Sequence, residues 1–305
     1  MKLSVTRLQS LRFALIFPAV AILASCKDSA PLTGDASTGL APSQSAVPSS
    51  SAPAAPPAPS VEAIINPQHL PAYSGPTGSI EGTISVTGDP APDVTGIDFG
   101  KCPLATAVYG KAFREGSKLD DGSRALADAL VVVTEYPGGY VPEKLAAKRI
   151  TIKDCAFDSR TVDVTYGQKI EVVNHDAKGF YAPVLSSSPT PAVMIPPPNG
   201  DPIFLYPEKP GFGVIADRMS SPLTADVYTL LQPLHTVSDL SGHFRIDGIP
   251  VGPSKISARL RTINHDVTKA IEVHDGVVER IDLVLDYKNV PIAKVDAGPN
   301  KPNLR

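Results

Sequence analysis

The sequence predicts an all-β protein built from sandwiches. Two observations carry this expectation. Short segments with alternating apolar residues recur from residue 76 to residue 288, separated by Gly-, Pro-, Asp- and Ser-rich turns. Short strands at regular spacing are the mark of β-sandwiches. The 305 residues also include 32 Pro, about twice ordinary usage, and proline breaks helix interiors. The net charge of -3 is too small for the electrostatic hold that nucleic acid requires, so no nucleic-acid partner is expected.

The first 25 residues do not belong to this fold. Lys2, Arg7 and Arg12 make a positive start, and an apolar run from Phe13 leads to Ser25. The run is too short to span a bilayer but fits a secretory signal. Leu23-Ala24-Ser25-Cys26 resembles the lipobox of bacterial lipoproteins. The resemblance implies that residues 1–25 are a signal peptide and that the mature chain begins at a lipidated Cys26. It implies a membrane partner through the lipid and a place in the cell envelope, facing the periplasm or the surface. Residues 26–75 then read as the lipidated Cys and a disordered linker. From Ala36 to Ser60, 20 of 25 residues are Ala, Pro or Ser, too few apolar groups to offset ordering entropy. Extended, the linker reaches on the order of 150 Å. An exported chain meets an oxidising compartment, so the remaining Cys102 and Cys155 are expected to form a disulfide.

The strands follow in order. Ser79–Val86 is β-rich and ends at Gly88, and Ala129–Thr134 is an apolar run that suits a strand buried on both faces. Arg149–Lys153, Thr161–Thr165 and Lys169–Val172 alternate, and Gly213–Ala216 and Ala225–Tyr228 are further candidates. Asp239–Gly242 reads as a turn before His243–Ile246. Ile256, Ala258 and Leu260 alternate with polar residues, Asp275-Gly276 reads as a hairpin signal, and Ile281, Leu283 and Leu285 point inward. The only hint of helix is Pro142–Lys148.

Two families are resembled. Gly78-Ser79-Ile80-Glu81-Gly82-Thr83-Ile84 resembles the first strand of a carboxypeptidase regulatory-like (prealbumin-like) domain, and the segment Val237–Gly252 resembles its middle hairpin. Between them, Thr165–Asp176 resembles the cupredoxin (plastocyanin-like) strand G-x-x-V-x-x-x-N-x-D. Cys102 and Cys155 resemble paired half-cystines of such modules. Together these imply a cupredoxin-like β-sandwich inserted in, or packed with, a prealbumin-like one. Residues 76–235 would hold the first prealbumin-like strand and the cupredoxin-like module. Residues 236–288 would hold the rest of the prealbumin-like domain, and 289–305 a flexible tail.

A blue-copper site needs two His, a Cys thiolate and usually an axial Met. By register with the family pattern, the copper positions fall on Tyr181, Ala216, Met219 and Pro222, and nothing between Asp176 and Leu234 is His or Cys. The expectation is a cupredoxin fold without metal and no cofactor. His175 beside Asp176 reads as a polar pair at a strand end. His235, His243, His265 and His274 read as dispersed surface histidines, and Asp120-Asp121-Gly122 as a turn. No G-x-S-x-G, H-E-x-x-H or phosphate-binding glycine loop is present, so no catalytic residues are expected.

Residues 183–210 hold nine prolines, with Tyr181, Phe204, Tyr206 and Phe212 in or beside them. Long irregular loops in compact domains are often functional. These rings either bind a protein or glycan partner or close the end of the sandwich. The function expected is non-enzymatic: a membrane-anchored envelope lipoprotein acting as a binding or scaffolding module. The alternatives are carbohydrate or cell-wall binding through the prealbumin-like domain, and copper-dependent electron transfer.

Overall fold

The computed structural model describes residues 58–100, 102–143, 146–186, 193–219 and 222–289. The expected signal peptide and lipidation at Cys26, the expected linker up to residue 57 and the expected tail after 289 lie outside the described residues.

The chain begins with α1 (Ala58–Ile65), β1 (Thr77–Gly88), α2 (Pro103–Tyr109), β2 (Glu115–Lys118), β3 (Arg124–Leu126) and β4 (Leu130–Thr134). Eight strands follow: β5 (Lys148–Lys153), β6 (Ala156–Phe157), β7 (Thr161–Thr165), β8 (Ile170–Asn174), β9 (Pro183–Leu185), β10 (Ile203–Leu205), β11 (Gly211–Asp217) and β12 (Thr224–Leu230). The last six are β13 (His235–Val237), β14 (His243–Pro250), β15 (Gly252–Leu260), β16 (Ile263–Val273), β17 (Val278–Arg280) and β18 (Leu283–Tyr287).

The protein is all-β, and two cores sort the strands. An outer sandwich packs the sheet β14-β1-β3-β2, with β17 and β18 also on β1, against the sheet β13-β4-β15-β16. Ile80, Ile84, Val131, Val133, Phe244, Ile256 and Leu283 fill the space between them. The spine is β1, which pairs with β14 and β3 on one side and runs parallel to β17 and β18 on the other. At Gly82 the Ile281 carbonyl comes so close that a Cβ would lie 1.9 Å from it, so a side chain there would push β1 from its neighbours.

An inserted sandwich occupies the chain between β4 and β13. It packs the sheet β10-β8-β5-β6 on the sheet β7-β12-β11-β9, with Ile150, Ile152, Phe157, Val162, Val164, Ile170 and Ile215 between them. The alternation of Arg149–Lys153 holds as read, with Ile150 and Ile152 inward. In β7 all five residues are buried. Val162 and Val164 face their own core, whereas Thr161, Asp163 and Thr165 face the outer sandwich.

Four expectations are corrected. The linker stops earlier than residue 75. Asn66 ties the end of α1 to Leu70 through both side-chain amide atoms, and Tyr73 N–H donates to the Tyr140 carbonyl, so residues 58–75 belong to the fold. The inserted sandwich starts at β5, because β2, β3 and β4 pair within the outer one. Pro142–Lys148 supplies no helix among its described residues, Lys148 opening β5 instead. Among the described residues the helices are α1 and α2, the latter with proline in its first turn, where the missing N–H is harmless. Asp275-Gly276 turns the chain from β16 across to β17 on the opposite sheet, so it is not a hairpin.

Candidate functional site

The expected copper positions cluster at one end of the inserted sandwich, where three loops meet. Asn174, fully buried at the end of β8, organises two of them. Its Nδ2 donates to the Gly179 carbonyl (2.9 Å) and the Pro196 carbonyl (3.2 Å), and its Oδ1 accepts from the Asp176 N–H. Asp217 joins the third, its Oδ1 accepting from the Ala182 N–H at 2.6 Å, while the Arg218 N–H donates to the Ala182 carbonyl.

Tyr181 closes this end from within. It is buried, so of the two roles left open for this ring it takes the closing one and not the binding one. Its hydroxyl donates to Asp176 Oδ2 at 2.5 Å and accepts from the Cys155 N–H at 3.2 Å. Burial and the adjacent carboxylate push the phenol well above its ordinary range. The Tyr181 hydrogen bond in turn holds Asp176 below the usual carboxylate value.

The donor set does not fit blue copper. Ala216 and Pro222 carry no ligand atom, Met219 is exposed, and the Tyr181 oxygen is held by two protein partners. Among the described residues no group of three or more His, Cys, Asp and Glu is arranged to hold a metal ion. Cys155 is spent in a disulfide with Cys102, which pins α2 to the β5–β6 turn. There Ala105, Val108, Tyr109 and Ala156 form a small separate core.

The loops around Tyr181 carry exposed apolar side chains beside the exposed Lys178 and Arg218. Phe180 is 60% exposed, Val193 62%, Ile195 49% and Met219 52%. The bonds above bring together the loops that carry three of them: Phe180 follows Gly179, Ile195 precedes Pro196, and Met219 follows Arg218, with Val193 two residues before Ile195. Of these four only Met219 stands out in the sequence, at a copper position; Val193 and Ile195 lie inside the proline-rich 183–210 segment, and Phe180 stands beside Tyr181. The other aromatics separate. Phe204 lies half-buried on the outer face of β10, with Lys169 Nζ 4.1 Å from its ring centre, and Tyr206 is half-buried just beyond. Phe212 is exposed on β11, on the other sheet.

A second constellation lies where the sandwiches meet, and sequence reasoning missed it. His235 is buried, which corrects its reading as a surface histidine. Its Nδ1 bonds Asp163 Oδ2 at 2.7 Å and its Nε2 bonds Thr165 Oγ1 at 3.1 Å. Lys148 Nζ completes the set at 2.5 Å from Asp163 Oδ1. Burial opposes the Asp163 charge, but the His235 and Lys148 hydrogen bonds and charges prevail, and its carboxyl sits below the ordinary value. The order Thr–His–Asp is that of a nucleophile with its base and orienting carboxylate. The Thr165 hydroxyl is buried with no room for a substrate, so the bonds serve the joint. Nearby, Asp128 receives Arg114 through two bonds and also the Arg160 N–H and Ser159 Oγ, a second lock across the same seam. His243, His265 and His274 are exposed, as expected.

No family model matches this chain, and no curated protein matches it. Among solved structures it is similar to the Cu-containing nitrite reductase of Thermus scotoductus SA-01, at TM-score 0.24 and 16% identity, over 30% of this chain and 24% of that one. It thus spans about a quarter of that protein. It is also similar to oxidized amicyanin with a proline-to-glycine substitution (TM-score 0.23, 13% identity, 33% of this chain and 97% of that one). Reduced amicyanin with a proline-to-phenylalanine substitution is comparable, at 0.24 and 13% over 33% and 99%. Likenesses this slight say nothing of what the chain binds.

Proposed function

We propose that the protein is a non-enzymatic lipoprotein of the bacterial cell envelope, anchored through Cys26, whose inserted cupredoxin-like sandwich docks a protein partner. In this reading the prealbumin-like outer sandwich carries the inserted one, and the Ala/Pro/Ser linker sets its distance from the membrane. The observation that supports it most is the apolar end formed by Phe180, Val193, Ile195 and Met219. Large apolar side chains kept in water on loops that hydrogen bonds tie together are the usual sign of an interaction surface. The polar groups beneath them are satisfied internally, so a partner can cover the patch without stranding a hydrogen bond. The residues at the copper positions favour docking over electron transfer, since they offer one exposed thioether and no imidazole or thiolate.

The test is site-specific photo-cross-linking in cells. Photoreactive residues at Phe180 and Met219 are expected to give discrete protein adducts, and one at exposed Lys118 on the outer sandwich is not. Adducts that are equal at all three sites, or absent from Phe180 and Met219, refute docking at this end.

A further inference from the structure

We infer that the open seam between the two sandwiches is a binding groove for a neutral glycan chain, on a surface separate from the apolar end. The outer face of β7-β12-β11-β9 is covered by the outer sandwich at β7 but open at β11. There the β15–β16 hairpin stands beside it. The resulting groove holds about 500 Å3, within the size range of small-molecule sites.

Its walls combine two rings with the Arg259–Asp266 pair and with Arg261, whose carboxylate partner Asp226 lies just outside the lining. Phe212, 44% exposed, meets Tyr228 edge to face with ring centres 5.5 Å apart. The Arg261 guanidinium lies 4.7 Å from the Phe212 ring centre and bonds Asp226 at 3.2 Å. Arg259 pairs with Asp266 at 3.3 Å, and the His265 ring lines the groove beside them. Among the described residues neither the Tyr228 hydroxyl nor the His265 ring has a hydrogen-bond partner, so both are available to a ligand.

The ligand chemistry follows from what these groups leave unmet. Each arginine already faces a carboxylate, so the groove has no net charge to attract an anion. A wholly apolar ligand would strip water from the arginines, carboxylates and imidazole without replacing it. A pyranose chain suits both halves. Its C–H faces pack on the Phe212 and Tyr228 rings, and its neighbouring hydroxyls can donate to a carboxylate and accept from the adjoining guanidinium fork. The groove is open along the seam, which suits a chain.

The probes are cellohexaose, maltohexaose and hexa-N-acetylchitohexaose, titrated into the full mature chain in detergent by calorimetry. At least one is expected to bind with a millimolar or tighter Kd. Phe212→Ala should weaken it tenfold or more with no change in melting temperature, since Phe212 is half in water, and Tyr228→Phe, which keeps the packed ring and removes only the free hydroxyl, should also weaken it. Met219→Ala, at the apolar end, should leave it unchanged, so glycan binding and partner docking can fail separately. The inference is overturned if none of the three binds, if Phe212→Ala has no effect, or if inorganic phosphate binds the groove more tightly than any of them.

Discussion

Asp163→Asn probes the joint between the sandwiches. Asparagine keeps the shape and can still accept from His235 Nδ1, but it removes the negative charge that Lys148 and His235 both address. Hydrogen bonds to a charged group contribute about 1.5–3 kcal/mol each. Lys148 is a third exposed and can turn to water, which discounts its share, whereas His235 cannot. The expected loss is therefore about 2 kcal/mol at pH 7. The pH dependence fixes the mechanism. Asp163 has a folded pKa below its unfolded value, so its contribution is complete above the ordinary carboxylate range and disappears as pH falls through the lowered value. Urea unfolding of both proteins should show a gap that is full at pH 7 and narrower at pH 3. A loss under about 0.5 kcal/mol at pH 7, or the same loss at both pH values, would falsify the charge argument.

Three further outcomes are expected. Tyr181→Phe removes one hydroxyl that serves both Asp176 and the Cys155 N–H. It should cost about 1–3 kcal/mol at neutral pH and raise the Asp176 pKa toward its ordinary value, as read by NMR titration. Replacing Cys102 and Cys155 together with serine should cost about 2–5 kcal/mol and expose the Tyr109 patch under α2 to faster hydrogen exchange, with β14–β16 unaffected. Cys26→Ala should move the protein from the membrane fraction to the soluble one. Retention in the membrane would mean that something other than a lipid on Cys26 holds it there.

The parts of this fold that could be read in the sequence are those set by neighbours in the chain. The Asp239–Gly242 turn is one. Asp239 Oδ1 gathers the N–H groups of Ser241 and His243, and Gly242 takes the positive φ that the turn demands. Alternation also placed Ile256, Ala258 and Leu260 in the core. Alternation says which residues share a face and not what covers that face. The alternation of Thr161–Thr165 therefore gave no sign that the outer sandwich buries its polar side. His235 was missed for the same reason. Its partner is 72 residues away, and no local pattern marks a histidine whose carboxylate lies in another sandwich. Phe212 stood out as an aromatic beside prolines, but Arg261, which defines the groove around it, comes from a distant hairpin. The Tyr181 hydroxyl belonged to a recognisable strand-end motif, yet nothing in that motif signals that Asp176 and Cys155 would turn it inward.

The pairing of β1 with β18 has a consequence for how the chain becomes a protein. Ile84 lies beside Leu283, and Gly88 beside Tyr287, contacts among the most remote in sequence of the described residues. Among the described residues the strands of the inserted sandwich pair within residues 148–230, so its sheets can close as soon as that stretch is free. Loop-closure entropy makes such local pairings faster than distant ones. β1 is made first and stays without its parallel partners until almost the last strand is available, its apolar Ile80, Ile84 and Val86 uncovered in the meantime. The folding order is thus the reverse of the nesting. The inner body forms first, and the outer one is sealed by the C-terminal strand, so loss of β18 would leave a folded insert on an open sheet.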